Sequence, residues 1–340
     1  MKVILDVMGG DNAPAAMVRG ALLAREEQGA DIIMVGLGEE ILRVVRDEGL
    51  PDLPKGIEIA HASQVIGMHE NPAAAVREKS DSSVVVGLTM LAGGQGDAFV
   101  SAGSTGALLT AATLIVKRIR GIRRAALAPV LPTAKGGALL IDCGANIECV
   151  PEYLLQFALM GSCYAQRAME VESPRVGLLN IGAEATKGGA LHRAAHALLQ
   201  QAGDEGRIRF VGNVEARDIA FGAADVVVSD GFSGNILLKT MEGVGLFFVD
   251  RMKAMFKASA RTKLAALLVK DGLGAFRRMI DYTEHGGAPF VGVTAPVIKA
   301  HGASNARAAA SAVRQAAAFA SSGVIEAIVE HIEQLKVTDA

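Results

Sequence analysis

Five short apolar runs, each followed at once by a glycine-rich turn and then by a helix-like stretch, constrain this 340-residue chain more than any other feature. Val3–Val7 leads into Met8-Gly9-Gly10-Asp11-Asn12-Ala13-Pro14, and Ala98–Val100 into Ser101–Ala107. Ala138–Ile141 leads into Asp142-Cys143-Gly144-Ala145-Asn146, Val176–Leu179 into Asn180–Gly188, and Asp225–Val228 into Ser229-Asp230-Gly231-Phe232-Ser233-Gly234-Asn235. A strand that hands over to a helix through a tight turn is the repeating unit of a parallel sheet with right-handed crossovers. Further strands are expected at Asp31–Gly36, Ile57–His61 and Ile208–Gly212, and helices at Ala15–Glu27, Gly106–Arg118, Pro151–Glu170 and Lys187–Ala202. The strands are apolar without alternation, as strands covered on both faces are. The expectation is an α/β fold in three αβα layers on a mostly parallel sheet. No Pro/Ser-rich linker or repeat divides the chain, so residues 1–340 are expected as a single domain.

Composition narrows the function classes. With 4% aromatics and no Trp, the chain lacks the surface of an all-β sandwich or of a stacking platform for single-stranded nucleic acid. Charged residues interrupt each apolar run before the ~20 residues a membrane span needs, so no span is expected. Cys143, Cys149 and Cys163 show no pairing pattern, which points to free thiols and the cytoplasm, and the start reads as a strand, not a signal peptide. The net charge of -2 offers nucleic acid no global field, but it hides an asymmetry. Between Arg251 and Arg278 eight Lys or Arg face Asp271 alone, a net +7 that leaves -9 for the remaining chain. Residues 241–282 also lack any strand signal and read as a basic helical hairpin turned at Asp271-Gly272-Leu273-Gly274. Such a hairpin suits an anionic membrane, an acidic protein or a second copy of the chain.

In parallel sheets, ligands bind outside the carboxyl ends of the strands, where these turns converge. Unpaired N–H groups at a helix start favour an anion, and glycine lets the backbone approach it. Ser104, Thr105, Asn146 and Asn235 offer neutral donors there, and Lys187 and Lys239 offer charge. A Walker A sequence is absent, because Lys187 is followed by Gly188, and Val35-Gly36-Leu37-Gly38-Glu39-Glu40 lacks the third glycine of a dinucleotide fingerprint. Ala102-Gly103-Ser104-Thr105-Gly106 and Gly231–Asn235 each miss a nucleophile elbow by one glycine. His192 and His196 lack the Glu of a zincin and the cysteines lack zinc spacing, so no metal is expected; His69 and His331 read as surface residues. Residues 284–305 read as a loop-rich segment with more His, Lys and Gly than a connection requires, which marks Lys299 and His301.

Gly9-Gly10-Asp11-Asn12-Ala13-Pro14, Ser101–Ala107, Asp142–Asn146, Asn180–Gly188, Asp230–Asn235 and Lys299-Ala300-His301-Gly302 resemble, in order and over essentially the whole chain, the PlsX-type phosphate acyltransferases. The resemblance implies a fold similar to phosphotransacetylases and isocitrate-type dehydrogenases, a homodimer, and peripheral association with the inner face of the cell membrane. It also implies acyl phosphate made from inorganic phosphate and acyl-acyl carrier protein, a strongly acidic partner, and handed to a glycerol-3-phosphate acyltransferase at the membrane. No cofactor is implied, since phosphate itself attacks the thioester. Within that reading Lys187, Asn235 and His301 are the expected catalytic residues, with Asn146 second to Asn235 as oxyanion donor. Asp11, Ser104, Thr105, Gly106, Asn146, Asp230, Lys239 and Lys299 are expected around the phosphate. Arg261, Lys263, Leu267, Leu268, Lys270, Arg277 and Arg278 are expected to meet membrane or carrier. The competing readings are a phosphotransacetylase acting on acyl-CoA, a decarboxylating dehydrogenase of related fold, and a non-catalytic membrane-recruited scaffold.

Overall fold

The expected alternation of strands and helices is present, but it builds two sheets instead of one. The computed structural model describes residues 1–274 and 286–331. In chain order the first half comprises β1 (Lys2–Asp6), α1 (Ala15–Gln28), β2 (Asp31–Gly36), α2 (Gly38–Asp47), β3 (Ile57–His61), α3 (Pro72–Glu78), α4 (Ser83–Ala92), β4 (Ala98–Ser101) and α5 (Thr105–Ala111), which closes in a π-helical turn, Ala112–Val116. Then come β5 (Ala126–Leu127), β6 (Val130–Thr133), β7 (Gly136–Ile141), α6 (Pro151–Arg167), β8 (Arg175–Asn180), α7 (Ala190–Asp204), β9 (Arg209–Glu215), α8 (Ala216–Ile219) and β10 (Val226–Val228). The chain continues through α9 (Gly231–Lys257), α10 (Ala260–Leu268), β11 (Gly287–Val291), β12 (Val297–Ala300), α11 (Ala306–Ser321) and α12 (Val324–Glu330).

The larger sheet has the order β3-β2-β1-β4-β12-β11-β5 and the smaller one β6-β7-β10-β8-β9. Strands β3, β2, β1, β4 and β12 run parallel, as do β7, β10, β8 and β9, while β11, β5 and β6 pair antiparallel. The chain passes from one sheet to the other between β5 and β6, and this link is bonded to both. Ala128 N–H donates to Pro289 O at 3.0 Å, and Pro129 O accepts from Leu140 N–H at 2.9 Å. One apolar cluster runs through both sheets, joining Val3, Leu5 and Val100 to Leu139, Ile141 and Val228.

Two sequence expectations are corrected. Residues 284–305 are not loop-rich where described: β11 and β12 form an antiparallel hairpin inside the larger sheet, with Phe290, Ile298 and Val297 fully buried. Gly287, Pro289 and Gly292 read as turn punctuation, yet pairing with distant β4 and β5 overrides that local signal. The basic helical segment begins earlier, at Gly231, and breaks at Ala258-Ser259, whereas residues 270–274 are helical. Ser259 stops α9 because it forms a capping box: its Oγ accepts from Thr262 N–H at 3.2 Å and its N–H donates to Thr262 Oγ1 at 3.0 Å. Arg277 and Arg278 lie outside the described residues.

Residues 306–330 are long and apolar enough to cross a membrane by composition, but α11 lies against α1, β4 and β12 with Val313, Ala316 and Phe319 in the core. Alanine-rich faces let α1 and α11 approach closely. A side chain at Gly20 would collide with Ala309 Cβ and come within 2.9 Å of Ala306 O. Gly20→Ala is therefore expected to lower stability by about 1–3 kcal/mol through overpacking, read as a lower urea midpoint; an unchanged midpoint would show that the pair can separate freely.

Candidate active site

At the carboxyl edge of the larger sheet, Asp6, Ser101 and Lys299 stand in register on three adjacent parallel strands. The buried Asp6 carboxylate accepts from Ser101 Oγ at 2.6 Å and from the N–H groups of Met8 and Gly9 at 3.0 and 3.2 Å. Ser101 Oγ in turn accepts from Gly103 N–H at 3.0 Å. The turns after β1 and β4 thus meet backbone to backbone, since a Cβ on Gly9 would lie 2.6 Å from Gly103 N. Burial raises the Asp6 pKa above its ordinary value, against the opposing pull of these hydrogen bonds. Lys299 Nζ donates to Ala102 O at 3.3 Å and to Ala300 O; burial, with the Lys239 charge second, brings its pKa down to about 8.

The turn after β12 joins this edge, because Asp11 N–H donates to Gly302 O at 2.8 Å. His301 is half-buried, and its Nδ1 accepts from Ala303 N–H at 3.2 Å, which places the proton of the neutral ring on Nε2. Burial first and Lys239 second hold its pKa below the ordinary imidazole value, with Asp11 and Glu242 pulling the other way. Helix α5 begins at the same edge: Ser104 Oγ accepts from Ala107 N–H at 3.5 Å, and Thr105 and Gly106 form the first turn.

The smaller sheet is organised by Asp142. Its buried carboxylate accepts from the N–H groups of Leu127, Cys143, Ala145 and Asn146 at 2.8, 2.7, 3.3 and 2.6 Å, and from Asn146 Nδ2 at 3.0 Å. Burial nevertheless lifts its pKa to about 6. Asn146 Nδ2 also donates to Ala125 O at 2.9 Å, and Asn146 O accepts from Gly231 N–H at 2.8 Å. The Asn146 amide nitrogen is thereby engaged in holding the turn, which leaves Asn235 as the stronger oxyanion donor of the two. Asp230 caps α9 by accepting from Ser233 N–H at 2.9 Å, and its other oxygen lies 3.9 Å from His192 Nε2. Lys187 stands exposed in the turn after β8, 3.8 Å from Glu184, and its carbonyl accepts from Asn180 Nδ2 at 3.2 Å. His196 bonds Asn213 at 3.0 Å.

Helix α9 couples the two edges. It starts against the Asp142 turn, and Asn235, Lys239 and Glu242 follow one another on one face at i, i+4 and i+7. Asn235 lies beside Gly144, where an added Cβ would stand 3.7 Å from its amide. Lys239 pairs with Glu242 at 2.8 Å, and its charge acts on Lys299 and His301 across the cleft. The structure therefore brings Asp11, Asn235, Lys239, Lys299 and His301 to one cleft. It places Asp230 beneath α9 as a cap and Lys187 with Glu184 in the neighbouring turn. Asp6, Ser101 and Asp142 were missed as site residues; the available signal was a polar side chain at or just past the end of an apolar strand.

The family described as "Fatty acid synthesis protein" matches residues 1–327 of this chain. The phosphate acyltransferase of Thermoanaerobacter pseudethanolicus is 45% identical over 336 residues, 98% of each chain. That of Thermoanaerobacterium thermosaccharolyticum is 43% identical over 333 residues, 98% of this chain and 97% of its own. Among solved structures, a phosphotransacetylase from Streptococcus pyogenes shares the fold with a TM-score of 0.64 at 20% identity, covering 94% of both chains.

Removing Asp142 would leave several N–H donors unanswered in a buried turn. Asp142→Ala is expected to cost about 3 kcal/mol or more, measured by urea unfolding; a loss below about 1 kcal/mol would mean that water replaces the carboxylate.

Proposed function

The chain belongs to the PlsX-type phosphate acyltransferases of fatty acid and phospholipid synthesis, and we propose that it moves a long-chain acyl group from acyl-acyl carrier protein to inorganic phosphate. The observation that carries this reading is the cleft itself: two lysines, an imidazole and two glycine-walled turns at helix starts form a place for a tetrahedral anion beside a thioester. Phosphate lies between Lys299, Lys239 and the first turn of α5, with Ser104, Thr105 and Gly106 contributing donors. Lys187 adds charge from the neighbouring turn, since an exposed pair such as Glu184–Lys187 is worth only about 0–1 kcal/mol and yields readily to a phosphate.

A phosphate oxygen attacks the thioester carbonyl carbon, the carbon–sulfur bond breaks, and the proton of hydrogen phosphate ends on the carrier's sulfur. Asn235 donates to the carbonyl oxygen as it gains charge, a contact of a kind worth about 2.7–4 kcal/mol. His301 acts as a neutral ring at pH 7, donating a hydrogen bond from Nε2–H to the departing sulfur and keeping its own proton while the sulfur takes that of hydrogen phosphate. Holding both reactants in line supplies up to ~7–11 kcal/mol.

The hairpin supports a place at a membrane surface. Leu264, Leu267 and Leu268 on α10 and Leu246, Phe247 and Phe248 on α9 are exposed, interleaved with Arg251, Lys253, Lys257, Arg261, Lys263 and Lys270. Each surface Lys or Arg adds ~1 kcal/mol on an anionic bilayer. In this reading the enzyme is cytoplasmic, sits as a homodimer on the inner face of the cell membrane, and passes acyl phosphate to a glycerol-3-phosphate acyltransferase.

The deciding assay follows phosphate-dependent release of carrier thiol from palmitoyl-acyl carrier protein. Release that saturates with phosphate is expected; activity confined to acetyl-CoA, or none, would favour the phosphotransacetylase or scaffold readings. Because Lys299 loses its charge as pH rises through about 8, the phosphate KM is expected to climb there. Acidification that protonates His301 places a hydrogen on Nδ1, breaks the Ala303 N–H bond that orients the ring, and is therefore expected to lower kcat. Lys299→Ala and Lys187→Ala should each raise the phosphate KM, by about tenfold or more for Lys299; a variant with KM and kcat unchanged removes that lysine from the site. In flotation at low salt the chain is expected to rise with anionic vesicles and not with neutral ones, and failure to rise with either defeats the membrane reading.

A further inference from the structure

One strongly charged surface belongs neither to the cleft nor to the α9–α10 hairpin. Between the π-helical turn and β5 the chain reads Lys117-Arg118-Ile119-Arg120-Gly121-Ile122-Arg123-Arg124, five cations in eight residues with no acid among them. All five are exposed, whereas Ile119 and Ile122 are buried beneath them. The segment is firmly held. Gln156 on α6 donates Nε2 to Gly121 O at 3.0 Å and accepts from Arg123 N–H at 2.9 Å. Ile119 N–H donates to Gly292 O and Thr294 N–H to Lys117 O, both at 3.0 Å, and the Arg118 guanidinium donates to Arg123 O. Arg124 lies over the Tyr153 ring, 5.5 Å from its centre. Arg118, Gly121, Ile122, Arg123, Arg124 and Tyr153 line an open depression of about 630 Å³.

We infer that this arginine loop docks the acidic face of the protein that carries the acyl thioester. The inference rests on the preceding reading, in which the substrate arrives on an acidic carrier. Guanidinium forks match carboxylates bidentately, and a loop already fixed by Gln156 and two buried isoleucines loses little freedom on binding. The loop is also one residue from the catalytic edge: Ala125 O is held by Asn146 Nδ2, and Leu127 N–H by Asp142. A lipid surface fits it poorly, since the segment's only apolar side chains are buried, while α10 exposes three leucines.

The test is charge reversal at Arg120 and Arg124 in the full chain, Arg120→Glu with Arg124→Glu. Fluorescence anisotropy with labelled acyl-free carrier protein reads Kd. A second readout is the ratio of kcat/KM for palmitoyl-carrier to that for palmitoyl-N-acetylcysteamine, which cancels any loss of folded protein. The double variant is expected to raise Kd and lower the ratio about tenfold or more, with a weaker dependence on salt, and Arg120→Gln with Arg124→Gln to fall between. Reversal of Arg261 and Lys263 on α10 is expected to move Kd less than threefold. Unaltered Kd and ratio in the arginine-loop variants, or a larger loss from α10, would overturn the proposal. Failure of the unaltered chain to consume palmitoyl-carrier would count against the functional reading instead, and the anisotropy comparison would then decide the docking surface alone.

Discussion

The buried carboxylate of Asp142 is the constraint on which the geometry of the cleft depends. Its charge is answered by four backbone N–H groups and one amide. A buried charge without such partners is costly, so every donor is fixed in place by the need to satisfy it. One of those donors, Leu127, ends β5 immediately before the link between the two sheets; another, Asn146, sets the carbonyl on which α9 begins. Asp6 does the same for the larger sheet through Ser101, Met8 and Gly9. Each sheet therefore has a buried aspartate gathering its turns, and α9 spans the gap between them.

That arrangement explains how a chain with no nucleophile elbow or Walker loop performs group transfer. Phosphate is already a nucleophile, so the protein's work is to hold an anion against a carbonyl and to steady the charge that develops. In the proposed reading, rigid turns with glycine at the points of closest approach provide the first, and Asn235 and a neutral His301 the second. The surface carries two further basic features: an apolar and basic hairpin, and apart from it a basic loop whose apolar residues face inward. The net charge of -2 conceals both.

Much of the fold was legible because buried parallel strands carry their own signature. Asp31–Gly36 and Ile57–His61 match the structure residue for residue, Ala98–Val100 and Val176–Leu179 fall inside slightly longer strands, and the remaining expected strands are offset at their ends. The division into two sheets was not legible, since β5 is two residues long and pairs with the distant β11, and β11 itself contains a proline. In the site, Lys299, His301, Asn235 and Lys239 could be marked by residue type and spacing. Asp6 and Asp142 could not, because a carboxylate that binds backbone leaves no pattern in the sequence beyond its position at or just past a strand's end. The mid-hairpin glycine looked like a break, but the Ser259 capping box, a reciprocal pair of hydrogen bonds, stops the helix earlier.

In the proposed reading, one anion site lies where Lys299, Lys239 and the start of α5 meet. A crystal structure with bound inorganic phosphate tests it most directly. Phosphate density within hydrogen-bonding distance of Lys299 Nζ and a backbone N–H of the Ser104–Ala107 turn is the predicted result. Phosphate bound instead only in the arginine loop, or only against Lys187 with the Lys299 cleft vacant, would contradict it.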